Sequence, residues 1–135
     1  MTLRTIDTNI LLRHLTDDDP IQSPLAARFI DAPKHVDKQL LVTLPVICEV
    51  TRLLRSRRYD LSREQIADAW EYLLNSNRFR FQERIAMINA LEAFREGPAA
   101  LSDYLILHPG RKENAIDVVT FDTAFAEAER VTLLK

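Results

Sequence analysis

Cysteine, glycine and proline are scarce in this chain, and long hydrophobic runs are missing. Its 135 residues include one Cys, two Gly and six Pro. The single cysteine, Cys48, excludes an internal disulfide, which fits the reducing environment of the cytoplasm. No apolar stretch is long enough to form a signal peptide or a membrane span, so we predict a cytoplasmic protein with no membrane partner.

The chain also lacks an excess of positive charge. Its 18 Lys and Arg residues against 20 Asp and Glu residues give a formal net charge of −2. Overall electrostatics therefore do not attract nucleic acid, and a polyanion must bind through a local basic patch or a bound cation. The length of 135 residues and the hydrophobic content of 47% predict one globular domain that spans residues 1–135.

Short apolar segments alternate with helical patterns along the chain. The apolar segments predict strands at residues 3–6, 39–43, 78–82, 115–121 and 131–134. Apolar residues at helical spacing predict helices at 8–15, 24–30, from Pro45, from the Ser62–Gln65 capping box, at 85–94, at 98–107 and in the segment FDTAFAEAE. Strands that alternate with helices predict an α/β layered fold with a mostly parallel sheet.

Two aspartates lie where predicted strands end and helices begin. Asp7 follows the first strand, and Asp122 follows the strand that ends in VVTF. In parallel sheets the crevice at the carboxyl ends of the strands binds ligands. Each residue has a structural alternative, because Asp is a preferred helix N-cap.

Two further acids lie inside helical patterns. Glu49 is at the rim of an apolar stripe, where it is either a functional residue or an ion-pair partner of Arg52. Asp103 lies in LSDYLIL, whose apolar residues predict a helix buried nearly all round. A buried charge is costly unless it is paired or bound to a metal. The structural alternative for Asp103 is the N-cap of a helix that starts after Pro98.

The four acids would need a cation if they shared one crevice. At about 4 Å and an effective dielectric constant of about 20, each pair of carboxylates repels by roughly 4 kcal/mol. Ligands that are all oxygen favour Mg²⁺ or Mn²⁺ over zinc. The three histidines, His14, His35 and His108, do not have the spacing of a zinc site.

Four segments together resemble the PIN-domain ribonucleases, and specifically the VapC-like toxins of bacterial toxin–antitoxin pairs. They are IDTNILLRHLTDDDPIQSPLAARFI, LPVICEVTRLLRSRRYDLSREQIADA, LSDYLIL and VTFDTAF, and they occur in order over nearly the whole chain. The resemblance implies a single PIN domain with a three-layer fold, in which helices flank a mostly parallel sheet of four to five strands.

The same resemblance implies a site, a reaction and partners. It makes Asp7, Glu49, Asp103 and Asp122 the catalytic ligands of one or two Mg²⁺ or Mn²⁺ ions that hydrolyse RNA phosphodiesters. It makes Asn9 and Thr120, with Thr8 at the helix start, the polar groups that support the ligands or orient a water. The implied partners are RNA, a cognate antitoxin and a second copy of the chain in a homodimer.

Basic residues beyond Glu49 are candidates for holding RNA. Arg52 shares the helix face of Glu49, so we predict that it contacts a phosphate. For the other arginines of this region, exposed positions at a helix end are the simpler interpretation. The acidic run at residues 17–19 is most simply a turn.

Two departures from the family pattern bear on activity. Ala100 stands where many relatives carry an Asp, which weakens the expectation of a second metal. Pro109 and Gly110 are predicted to shorten their helix. Ala100 alone points to the alternative function, a catalytically degraded PIN fold that binds RNA or protein, and the four intact acids point against it.

Overall fold

A computed structural model describes residues 2–31 and 38–135 of the chain. The chain divides into two compact units, a first unit of Met1–Arg84 and a second unit of Ile85–Lys135. In these described ranges, no helix combines the length and the apolar character that crossing a bilayer requires.

The first unit contains a three-stranded sheet in which every pairing is parallel. Its strands, in spatial order, are β1 (Thr2–Thr5), β2 (Lys38–Val42) and β3 (Phe79–Phe81). Thr5 lies opposite Leu41, and Val42 lies opposite Phe81. The predictions of strands at residues 3–6, 39–43 and 78–82 are confirmed within a residue or two.

Four helices of the first unit follow the strands at the predicted places. They are α1 (Thr8–Thr16), α2 (Gln22–Asp31), α3 (Leu44–Arg55) and α4 (Arg63–Leu74). Pro45 is the second residue of α3, where its missing N–H costs nothing. The capping box is present, because Ser62 Oγ accepts from the N–H of Gln65 and Gln65 Oε1 accepts from the N–H of Ser62. Leu25, one of the apolar residues on which the prediction of a helix at 24–30 rests, is exposed.

The buried side chains of the first unit centre on Trp70. Its ring is fully buried and lies edge-on to Phe81, with 6.1 Å between the ring centroids. The indole N–H donates to Thr51 Oγ1 at 2.9 Å, so the polar atom of this large side chain is satisfied. Trp70 of α4 thus contacts both Thr51 of α3 and Phe81 of β3.

The second unit pairs two further strands and confirms the α/β class with parallel strands. Its elements are α5 (Arg84–Glu96), α6 (Leu101–Lys112), β4 (Val118–Thr120), a 3₁₀ turn (Phe125–Glu127) and β5 (Val131–Leu133). Strands β4 and β5 are parallel, with Val118 opposite Val131. The five described strands are therefore hydrogen-bonded as a set of three and a set of two.

Three boundaries in the second unit differ from the predictions. The helix expected to begin at Pro98 begins at Leu101, and the strand expected over residues 115–121 covers only 118–120. The helix expected in FDTAFAEAE is a single 3₁₀ turn, because Ala128 already has extended backbone angles. The strand and the last helical segment are shorter than predicted, whereas α6 begins three residues later and, with 12 residues, is not shorter.

The prediction that Pro109 and Gly110 shorten their helix is wrong. Helix α6 continues through both residues to Lys112. Pro109 is close to the helix end, where the loss of one N–H donor affects only the last turns. The end is closed beyond it by bonds from the N–H of Glu113 to Pro109 O and from the N–H of Ala115 to Gly110 O.

Candidate active site

Asp7 lies at the carboxyl edge of the first sheet. Parallel pairing continues to the residue before it, because the N–H of Ile6 donates to Leu41 O at 3.1 Å. Asp7 is the N-cap of α1, and its Oδ1 accepts from the N–H of Thr8 at 2.8 Å. The side chain is exposed, so the junction of strand and helix presents a carboxylate to solvent.

Asn9 lies on the side of α1 that faces α2. It lines a cavity of about 420 Å³ whose other walls include Arg13, Gln22 and Phe29. Asn9, two residues after Asp7, thus borders the space between α1 and α2.

Glu49 forms the ion pair that the sequence left open as an alternative. Arg52 donates to it twice, from Nη2 to Oε1 at 2.7 Å and from Nε to Oε2 at 3.2 Å. The arginine side chain is 66% exposed and the glutamate 46%. The bond from Arg52 lowers the pKa of the Glu49 carboxyl from its ordinary value. Arg52, the predicted phosphate contact, and Glu49, a predicted metal ligand, therefore offset each other's charge.

Asp103 is the third residue of α6. Its Oδ2 accepts from the N–H of Ala100 at 3.2 Å, so it satisfies a donor at the helix start. Ala100 is the N-cap residue and has no side-chain acceptor of its own. The helix is not buried nearly all round as the sequence predicted, because Ile106 is half exposed. Asp103 itself is only partly buried.

Asp122 organises the turn that follows β4. Its Oδ1 accepts from the N–H of Ala124 at 2.8 Å and of Phe125 at 3.2 Å. Its own N–H donates to Thr120 Oγ1 at 3.0 Å. Like Asp7, it is exposed and lies two residues after the end of a parallel strand.

Each unit contains two of the four acids. In the second unit the first turn of α6 and the turn after β4 lie against each other, because the rings of Tyr104 and Phe125 meet edge-on at 6.2 Å. Across residues 2–31 and 38–135, no three His, Cys, Asp or Glu side chains come close enough together to hold a metal ion.

The family comparison covers all four acids. The PIN domain family model matches residues 5–131, a range that extends through both units. This chain belongs to the PIN domain family. Comparison with curated proteins and with solved structures gives no significant match. PIN domains are generally nucleases that use divalent metal ions, so the chain has a nuclease-type fold.

The donor chemistry of this PIN domain fits a hard divalent ion. All four candidate ligands are carboxylates, whose oxygens suit Mg²⁺ and Mn²⁺. Within the described residues, the second oxygen of each aspartate accepts no hydrogen bond: Oδ2 of Asp7, Oδ1 of Asp103 and Oδ2 of Asp122. Glu49 differs, because Arg52 occupies both of its oxygens.

One charged residue of this PIN domain has contacts that the sequence did not predict. Asp18, in the acidic run at 17–19, accepts bonds from four side chains: Arg13, Thr16, Arg58 and Tyr59. Arg58 and Tyr59 lie about forty residues further along the chain, so no local sequence pattern predicts their bonds to Asp18.

Proposed function

We propose that this PIN domain is an endoribonuclease that depends on Mg²⁺ or Mn²⁺ and hydrolyses RNA phosphodiesters. The observation that carries the proposal is the family match over residues 5–131, which includes Asp7, Glu49, Asp103 and Asp122. Support from geometry comes from Asp7 and Asp122, two exposed aspartates that each keep one oxygen outside their backbone bonds at the end of a parallel strand.

The metal would be held by the aspartates first. Asp7, Asp103 and Asp122 each offer an oxygen without breaking the bond that fixes the carboxylate. When bound, the ion lowers the pKa of a water and neutralises charge on the phosphate. Glu49 would contribute only after Arg52 releases it, so we assign it the weaker role.

The remaining polar residues hold these carboxylates in place. Thr8 donates its N–H to Asp7, and Thr120 accepts the N–H of Asp122, so each fixes the backbone or the side chain of an aspartate. Asn9 is exposed two residues after Asp7, where its amide is available to orient a water. These contacts limit the motion of the ligands before substrate arrives.

The biological role that we propose is that of a toxin in a toxin–antitoxin pair. It rests on the resemblance of four sequence segments to VapC-like toxins. The proposed partners are RNA, a cognate antitoxin and a second copy in a homodimer, and the proposed compartment is the cytoplasm. Burial raises the pKa of the Cys48 thiol, which makes this lone cysteine less reactive.

The proposal is tested by RNA cleavage with and without metal. Asp7→Asn keeps a helix cap of similar strength but loses the charge, so we expect cleavage in Mg²⁺ to fall at least about 100-fold with the fold intact. Isothermal titration with Mn²⁺ gives a second readout, in which the variant should bind the ion more weakly.

The matched control is Asp17→Asn at the other end of the same helix. Asp17 has φ 49°, a left-handed conformation that Asn also adopts readily. This variant has the same change in net charge and should cleave like the wild type. Equal cleavage by wild type and Asp7→Asn in Mg²⁺ would refute the proposal. RNA binding without any turnover by the wild type would indicate the degraded PIN fold instead.

A further inference from the structure

Four arginines lie between the middle of α3 and the turn that follows it, and their surroundings divide them into two kinds. Arg52 is bound by Glu49, and Arg58 donates from Nη2 to Asp18 Oδ2 at 2.9 Å. Arg55 and Arg57 are exposed and form no ion pair with any residue in the described ranges. Two guanidinium groups are therefore left available to an external anion.

The backbone that presents these two groups is firmly fixed. We call residues 55–59 the basic turn. Ser56 O accepts from the N–H of Tyr59 at 3.2 Å and of Asp60 at 2.7 Å, and the N–H of Leu61 donates to Leu54 O at 3.0 Å. Asp60 closes the turn in a left-handed conformation, with φ 48°. A fixed backbone reduces the entropy that a ligand must overcome on binding.

Asp18 fixes the basic turn from a second side. Its Oδ2 accepts from Tyr59 Oη at 2.8 Å as well as from Arg58. The guanidinium of Arg58 also lies over the Tyr59 ring, 5.3 Å from its centroid. The loop after α1 thus holds Arg58 and Tyr59, while Arg55 and Arg57 stay outside this set of contacts.

The composition of the turn favours a polyanion over a protein surface. Residues 55–58 read Arg-Ser-Arg-Arg, and the large exposed hydrophobic residues of the first unit lie elsewhere. The fully buried core of a protein interface is more apolar than the rest of the surface, and residues 55–58 supply no apolar side chain for one. Guanidinium groups match phosphate oxygens in geometry and charge.

We propose that the basic turn is a phosphate-binding surface for single-stranded RNA, with Arg55 and Arg57 as two of its phosphate contacts. The proposal deepens the ribonuclease function and rests on it for the choice of RNA. It moves the main phosphate contact away from Arg52, whose charge is already offset by Glu49. The turn lies at the end of α3, the helix that carries Glu49.

The test measures binding without cleavage. A short fluorescent single-stranded RNA is titrated with Asp7→Asn protein in EDTA, by anisotropy, between about 50 and 200 mM salt. The double substitution Arg55→Gln with Arg57→Gln is then added to this background. Since each phosphate contact on a single strand contributes about 0.7 to the slope of log K against log salt, the slope should fall by about 1.4.

The control has the same charge change at other exposed arginines. Arg28→Gln with Arg111→Gln should leave the slope nearly unchanged, because these residues lie on α2 and α6 and not in the turn. Circular dichroism checks that each variant is folded. Equal slopes for the two double variants would overturn the proposal.

A parallel titration with polyglutamate separates RNA from an acidic protein partner. If the Arg55/Arg57 variant loses polyglutamate binding but binds RNA as before, the RNA assignment is wrong. Because these assays contain no metal and an inactivated protein, they read the basic turn even if the wild type fails to cleave RNA. Failure of the ribonuclease proposal is seen only in the separate cleavage assay.

Discussion

The two units place their acids in the same way but neutralise them differently. Each has an aspartate after a parallel strand, Asp7 in the first and Asp122 in the second, and each has one more of the four candidate acids within a helix. In the first unit the helical acid Glu49 is paired with Arg52. In the second unit Asp103 accepts only a backbone N–H, and among the described residues no cation pairs with it or with Asp122.

This difference teaches that position alone does not rank the four acids as metal ligands. An acid that already has a guanidinium partner loses that interaction when it binds a metal. Asp103 and Asp122 lose no ion pair, because backbone amides hold them through one oxygen each. Asp103 and Asp122, like Asp7, should therefore depend more on a cation than Glu49 does and contribute more to its binding.

The largest expected effect is the loss of RNA cleavage when Asp103 is replaced, compared with the loss when Glu49 is replaced. Asp103→Asn should lower RNA cleavage in Mg²⁺ at least about 100-fold, because the carboxylate that it removes has no ion-pair partner in the described residues. Glu49→Gln should lower it only about tenfold, since Arg52 already offsets that charge. Steady-state cleavage of one RNA by both variants, at saturating Mg²⁺, measures the contrast. Equal losses would show that the ion pair does not weaken the role of Glu49.

A close contact in the second unit supports the helix that carries Asp103. A Cβ at Gly97 would overlap the hydroxyl of Tyr104 and approach Ala93 O to 3.0 Å. Gly97→Ala should therefore destabilise the protein by about 3 kcal/mol, measured by urea denaturation. Tyr104→Phe removes the hydroxyl that accepts from the N–H of Ala99 at 3.2 Å and is destabilising alone.

The two substitutions together identify the clash. If the overlap with the hydroxyl is the cause, the double variant should be less destabilised than the sum of the two single variants. Strict additivity would place the cost of Gly97→Ala at the Ala93 carbonyl instead.

In the first unit the corresponding buried contact is polar. Thr51→Val removes the oxygen that accepts the indole N–H of Trp70 while the shape stays similar. The buried donor is left without its partner, so we expect a loss of about 2 kcal/mol in the free energy of unfolding. Trp70 is the only tryptophan of the chain, so its fluorescence reports the transition directly. An unchanged midpoint would mean that water or another group replaces Thr51.

The elements that the sequence predicted well depend on neighbours in the chain. The Ser62 and Gln65 cap is an interaction between residues three apart, and the alternation of Phe79, Arg80 and Phe81 sets which side chains are buried. For the site, the sequence predicted which acids lie at strand ends and which lie within helices, but not which contacts they form. For Glu49 the spacing to Arg52 allowed an ion pair and a metal ligand equally, because both need an acid at that place.

The features that escaped prediction depend on contacts over long separations or on helix ends. Asp18 and Arg58 are 40 residues apart, so the acidic run gave no sign of its partners. Pro109 appeared to end a helix, but the bonds beyond it carry α6 on to Lys112. Such contacts form only when the chain has folded.

The smallest expected effect concerns the pH dependence of the contacts around Asp18. Bonds from Thr16 and Tyr59, with the charges of Arg58 and Arg13, lower the pKa of Asp18 from 3.8 to about 2. A lowered pKa in the folded state stabilises the protein above the unfolded value, and this stabilisation is lost as the pH falls through the folded value. The wild type should therefore be more stable than Asp18→Asn at neutral pH, with the difference shrinking between about pH 4 and pH 2.

Urea denaturation of both proteins across this range measures the difference. Asp17→Asn, one residue earlier, has the same charge change and removes none of the four bonds to Asp18, so it separates the effect of these bonds from that of net charge. A difference between wild type and Asp18→Asn that stays constant from neutral pH down to pH 2 would contradict the ionised, four-bonded carboxylate. Loss of the difference only in that acidic range would assign the stabilisation to the ionised carboxylate of Asp18.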